Sequence, residues 1–253
     1  MRVEARVVGH FDIGPNDYAN LEHVQAKDSD YSGHGLLGFR AIGCRFERCR
    51  FGNRRLDNFS FGSGQEITEY VECDFDGLRF DHSIGNNAKF VRCSFRNVDL
   101  GNWSCFNAEF VDCVFTGRLR KCIFNGTVDE EDQPWVGREK NEFHGNDFSG
   151  ADLVDVAFRT GIDLEQQRLP SGPDYLYVPD AVAAIMRAKE GLVNWMPGTE
   201  LHRKAMVIVN VLGQTVEDGQ RQLLLKLREL YAKPSRFPRE VVDKIVQLLK
   251  PPN

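Results

Sequence analysis

The chain has 253 residues, 42% of them hydrophobic, 27% charged and 11% aromatic, with a formal net charge of −5. That balance excludes a disordered tail, a collagen-like fibre and a membrane bundle, and predicts one large or two modest globular domains. Acidic and basic residues number 6 and 4 over 1–43, 20 and 14 over 44–158, and 11 and 14 over 159–253, too even a division for nucleic-acid binding by charge alone. The opening MRVEARVVGHFDIG has no basic head leading into an apolar core, and no later run reaches about 18 apolar residues. The expectation is a cytoplasmic protein with no membrane and no direct nucleic-acid partner.

Residues 1–35 show no readable period and are expected to cap whatever follows. From Cys44 a step of five sets in, with a small or medium residue followed two positions later by Phe or Leu: Cys44/Phe46, Cys49/Phe51, Arg54/Leu56, Phe59/Phe61. The spacing slips between Ser63 and Tyr70, where Gly62, Gly64 and Glu66 predict a loop or bulge. It then resumes in three stretches 20 residues apart: Tyr70-Val-Glu-Cys-Asp-Phe75, Phe90-Val-Arg-Cys-Ser-Phe95 and Phe110-Val-Asp-Cys-Val-Phe115. Only Ser83/Gly85 and Trp103/Cys105 fit poorly. Of 18 phenylalanines, 12 occupy the second position of a unit, and six of seven cysteines the first, where chance would place about one in five.

Neither helix nor flat strand has a period of five. Five residues therefore make one corner and one side of a coil, and four sides make the 20-residue repeat, so that each residue returns above its counterpart one turn earlier. Cys73, Cys93 and Cys113 are expected to form one inward ladder, and Phe75, Phe95 and Phe115 another. The runs CRFERCRFGNRRLDNFSF and NDFSGADLVDVAF, with Ala151-Asp-Leu-Val-Asp155 close to A-(D/N)-L-x-x, resemble the pentapeptide-repeat proteins. That resemblance covers about 39–164 and implies a right-handed quadrilateral β-helix, a β-solenoid, with Cys largely in place of the inward Ala and Phe in place of Leu. The predicted solenoid spans 36–165.

Within it, GTVDEEDQPWVGREKNE (126–142) breaks the period and is expected to leave the coil as a loop. Asp129, Glu130, Glu131 and Asp132 beside Trp135 suit a basic protein partner, because charge steers and an aromatic anchors; a merely solvated loop is the bland alternative. Arg45, Arg48, Arg50, Arg54 and Arg55 step around the faces and make no flat patch. A Pro-rich linker is expected over 166–179. A C-terminal α-helical domain follows over 180–253: Asp180 caps a helix over 180–195, Thr199 one over 199–212, a third covers 217–232, and Pro238 opens a fourth over 238–249.

No catalytic constellation, metal set or cofactor signature emerges. Cys44-x4-Cys49 lacks the second close pair of a zinc site, the six histidines are scattered, and the inward register makes the thiols packing residues, all free. The chain thus reads as a non-catalytic binding protein. The resemblance implies a protein partner, DNA gyrase or topoisomerase IV, bound by imitation of duplex DNA, and a homodimer through the C-terminal helices. About five coils span about 24 Å, or about seven base-pair steps. The other reading is a scaffold or neutralising (immunity or defence) component assembled through the helical domain, with Leu223, Leu224 and Leu225 offering one apolar residue outward.

Overall fold

The structure, a computed structural model, describes residues 2–4, 18–32, 38–52, 55–56, 59–84, 87–231 and 237–250. About half of the expected cap (1, 5–17 and 33–35), together with Arg54, Gly85 and Ala232, lies outside the described residues. The chain divides into two compact units, Met1–Ala157 with Glu165–Pro170, and Phe158–Leu164 with Ser171–Asn253.

The first unit is a β-solenoid of short strands stacked in four parallel sheets. One sheet carries Arg2–Glu4, Tyr18–Glu22, Gly38–Ile42 and Phe59–Ser60. The next carries Gln25–Lys27, Arg45–Glu47, Thr68–Val71, Ala88–Val91, Ala108–Val111 and Phe143–His144. The third carries Arg79–Phe80, Ser94–Gly101, Val114–Arg120 and Asp147–Val154, and the fourth includes Ser83–Ile84, Trp103–Cys105 and Ile123–Asn125. Phe90 lies opposite both Tyr70 and Phe110, which is the 20-residue turn read from the sequence.

Two interruptions lengthen single coils without disturbing this register. Phe46 pairs with Tyr70, so the slip at 63–70 is a four-residue insertion at a corner. Phe110 pairs with Phe143, which places a 13-residue insertion in the coil between them. The solenoid also begins earlier than the sequence reading had it. Tyr18–Glu22 pairs with Gly38–Ile42 and Gln25–Lys27 with Arg45–Glu47, so these residues are coil and not cap. Val24/Ala26 stands where Cys44/Phe46 stands one turn later, with the size order reversed, and that reversal hid the period.

The core is two columns of rings. Tyr31, Phe51, Phe75, Phe95, Phe115 and Phe148 stack with centroids 4.6–5.1 Å apart. Phe46, Tyr70, Phe90 and Phe110 stack at 4.9–5.1 Å, and the two columns meet edge to face. Such offset and perpendicular contacts suit the ring quadrupoles. Tyr70 keeps its hydroxyl satisfied by donating to the Phe61 carbonyl at 2.7 Å. The irregular step at Trp103/Cys105 is an exchange of sizes, with the indole in the small slot and the thiol in the large one, both fully buried.

All seven cysteines are buried free thiols. Cys73, Cys93 and Cys113 donate to the carbonyls of Phe46, Tyr70 and Phe90 at 3.3–3.4 Å, a weak hydrogen bond that alanine in the same slot would lack. Burial pushes the Cys93 and Cys105 thiols well up and Cys122 to about 12, away from reactive thiolate. Asn146 ends the Cys column, accepting from the Cys113 amide at 3.0 Å and donating to Phe110 O at 2.9 Å.

The second unit holds an antiparallel pair, Tyr175–Val178 against Leu223–Lys226, with α2 (Ala181–Leu192), α3 (Glu200–Glu217), α4 (Leu227–Tyr231) and α5 (Arg239–Leu249); α1 (Gln133–Val136) is a single turn in the first unit. Ala184, Ile185, Ala188, Val209, Val241 and Ile245 form the core. Asp180 and Thr199 cap α2 and α3 as expected, accepting from the amides of Ala183 and His202. The helix expected over 217–232 is instead the end of α3, a strand and α4. Tyr-Leu-Tyr-Val at 175–178, inside the expected linker, supplies the backbone partner that turns Leu223–Lys226 into a strand. Among the described residues no helix is long and apolar enough to cross a membrane.

Candidate docking loop

The excursion at 126–142 leaves one sheet after Asn125 and enters another at Phe143. Its stems are tied together: Thr127 and Lys140 form an antiparallel bridge, the Val128 amide donates to Glu139 O at 2.9 Å and the Asn141 amide to Gly126 O at 2.9 Å. Val128 is buried beneath. At the tip, Asp129 O accepts from the amides of Asp132 and Gln133, opening α1 (Gln133–Val136), which ends on Gly137 at φ +74°. Pro134 in the first turn and a left-handed glycine at the end are what a one-turn helix needs.

The five sequence-predicted site residues separate into two groups. Asp129, Glu130 and Glu131 are exposed at the tip. Asp132 turns towards the coil and accepts from Asn107 Nδ2 at 2.8 Å, and Trp135 is half-buried rather than the exposed anchor expected. The residue the sequence reading missed is Arg138. Its guanidinium donates to Asn87 Oδ1 at 2.7 Å, Asn107 O at 2.5 Å and Asn141 Oδ1 at 3.2 Å, and stands 3.4 Å from Glu109. Burial lowers the Arg138 pKa while Glu109 and Glu142 oppose that fall. Asn141 in turn donates to Phe106 O and Asn125 O. A signal for this cluster was present, since Asn87 and Asn107 are 20 residues apart and each precedes an inward alanine.

Glu109 also faces Lys89 at 3.4 Å, and Lys89 reaches Glu142 at 2.8 Å. The Lys89 hydrogen bond holds the Glu142 carboxyl below its ordinary value.

The faces of the solenoid present charges in pairs that bridge successive coils. Arg48 meets Asp28 at 2.7 Å, Arg50 meets Asp30 at 3.1 Å and Asp74 at 3.4 Å, Arg92 meets Glu72 at 2.9 Å, and Arg45 pairs with Glu69. Arg120 lies between Asp81 and Asp99, and Arg118 by Asp152. One corner carries Asp28, Arg48, Glu72, Arg92 and Asp112 in order, each at φ of +51° to +55° and each donating its amide to the following coil. Among the described residues no group of three or more His, Cys, Asp or Glu is placed to hold a metal ion.

No family model matches the chain, and no curated protein matches it. Among solved structures it is similar to two trypsin-treated variants of QnrB1, a plasmid-mediated fluoroquinolone resistance protein. One is 18% identical over 64% of this chain and 78% of that chain, with a TM-score of 0.21. The other is 19% identical over 63% and 74%, with a TM-score of 0.20. Full-length QnrB1 is 15% identical over 58% and 88%, with a TM-score of 0.17. Superpositions this loose bear no argument. The chain's own register carries the fold: five residues to a side, four parallel sheets, and small and large members of each unit turned inward in stacked columns make the first unit a four-sided β-solenoid, the fold that the sequence resemblance implies.

Proposed function

We propose that this chain is a non-catalytic protein that docks on a cationic protein surface through the excursion at 126–142. The observation that carries the reading is the pre-formed tip: Asp129, Glu130 and Glu131 are exposed on a loop whose stems bond each other, whose turn closes on Asp129 O, and whose Asp132, Arg138 and Asn141 side chains bond to the coil. A loop already in its binding shape loses little entropy on docking. The faces of the solenoid are the weaker candidates, because much of their negative charge is matched by Arg and Lys from a neighbouring coil. Duplex mimicry by an unbroken anionic face gains no support from them.

DNA gyrase is the partner to test first, on the family resemblance. The intact protein at micromolar concentration is expected to alter gyrase supercoiling or its inhibition by a quinolone, and Asp129→Lys/Glu130→Lys/Glu131→Lys to abolish the effect with the melting curve unchanged. An intact protein without effect on either readout refutes the gyrase form. A second reading, assembly through the second unit, is favoured by Met186, Val193, Val207 and Val211, which are 53–64% exposed on and beside α2 and α3. Sedimentation of the chain against Met186→Ser/Val207→Ser/Val211→Ser tests the homodimer, and a monomeric parent refutes it.

A further inference from the structure

We propose that Arg138 is the positioning residue of the docking loop, an internal latch that converts the order of three coils into the shape of the acidic tip. The inference rests on the reading of 126–142 as the docking element, but the latch itself can be tested without a partner.

Arg138 joins parts of the chain that are far apart in sequence. Asn87, Asn107 and Asn141 lie 51, 31 and 3 residues from it. Asn87 and Asn107 immediately precede Ala88 and Ala108, which face each other in adjacent strands, so the guanidinium fork spans successive rungs of one corner. Asn87 is itself held, donating to Gln65 O at 2.6 Å, and Asn107 donates onward to Asp132 in the loop. Glu109, almost fully buried, supplies the counter-charge at 3.4 Å and accepts from the Glu142 amide at 3.1 Å, at the point where the chain rejoins the coil. A planar five-donor group fits three carbonyl acceptors and a carboxylate at once, which an ammonium cannot do. None of these atoms belongs to Asp129, Glu130 or Glu131, so the latch acts on the tip only by holding the loop.

Two measurements test this. Amide exchange of the full chain is expected to show protection at Val128, Val136 and Gly137, lost in Arg138→Ala and partly kept in Arg138→Lys, with the Glu72 and Arg92 amides, bonded to Val91 O and Val111 O within the coil, protected throughout. Loop amides unchanged in Arg138→Ala would overturn the latch. So would loss of protection at Glu72 and Arg92 as well, which would make Arg138 a general element of the fold. In the gyrase assay, Arg138→Ala is expected to raise the concentration needed by about tenfold, and to add nothing further to the triple Lys variant, because a positioning residue has no effect once the positioned charges are gone. An undiminished effect of Arg138→Ala, or additive losses, would refute positioning. If the intact chain does not act on gyrase, that reading of function fails while the exchange experiment still decides the latch.

Discussion

Replacing Phe95 by Ala tests the inward register where it is most heavily used. The ring has no exposed surface, lies 4.7 Å from Phe75 and 4.8 Å from Phe115 in nearly parallel stacks, and meets Phe90 edge-on at 5.6 Å and Trp103 tilted at 5.8 Å. A buried Phe→Ala change costs roughly 3–5 kcal/mol in transfer energy and cavity. Two stacked pairs, each contributing about 0.5–1.5 kcal/mol beyond area, place this site in the upper half of that range. The rings above and below are fixed by their own strands and cannot close the gap. For a unit of this size each kcal/mol moves the melting midpoint by about 2–4 °C, so a fall of about 8–20 °C is expected by circular dichroism. Arg96→Ala, one residue along and exposed, is the control and should shift stability by less than about 0.5 kcal/mol. Comparable losses in the two variants would refute the inward assignment of the second member of each unit.

The seven thiols should resist a coloured thiol reagent in the folded protein and all react in denaturant, since each is buried; rapid modification of three or more without denaturant would contradict the packing. Gly117→Ala should destabilise by about 2 kcal/mol or more, because φ is +93° and a Cβ would sit 2.3 Å from the Val98 carbonyl oxygen; a melting curve matching the parent would refute this close approach at the bulge between Phe95 and Val98. Glu142→Gln should cost stability at pH 7 and nothing at low pH. Its folded-state pKa is depressed by Lys89, so its contribution is present above the unfolded value and vanishes as pH falls through the folded one; a pH-independent difference would exclude the ion pair as its cause.

Much of the coil was legible because Phe and Cys mark the two inward positions with residues that are rare elsewhere in the chain. Where other residues occupy those positions the period fades: Ala19/Leu21, Val24/Ala26 and Ser29/Tyr31 are buried as the later coils require, yet no single size rule links them. The strand at Leu223–Lys226 was read as helix because Leu, Lys and Arg favour helices and its partner lies about 50 residues away, beyond any local window. The loop was located by its broken period, and its charges by composition. Its order was not legible, because it depends on Arg138 meeting amides from earlier coils, and no linear pattern shows which buried acceptors a guanidinium will find. Asp132 looks like Asp129 in the sequence and differs only in that the turn at Asp129 points it at Asn107.

The alternating corner of Asp28, Arg48, Glu72, Arg92 and Asp112 bears on how the chain finds its order while folding. Successive coils are so alike in their aromatic columns that packing barely distinguishes the next coil from the one after it. An assembly that skipped a coil could still stack its rings, but at this corner it would lay Asp28 against Glu72, or Arg48 against Arg92, according to which coil was passed over. Each exposed ion pair contributes at most about 1 kcal/mol, and each like pair opposes by a similar amount, so exchanging one for the other at the skipped rung separates that arrangement from the native one by up to about 2 kcal/mol. The corner thus acts as a counting device for the solenoid: it adds little to the stability of the correct stack and penalises the miscounted one, including a stack borrowed from a second chain.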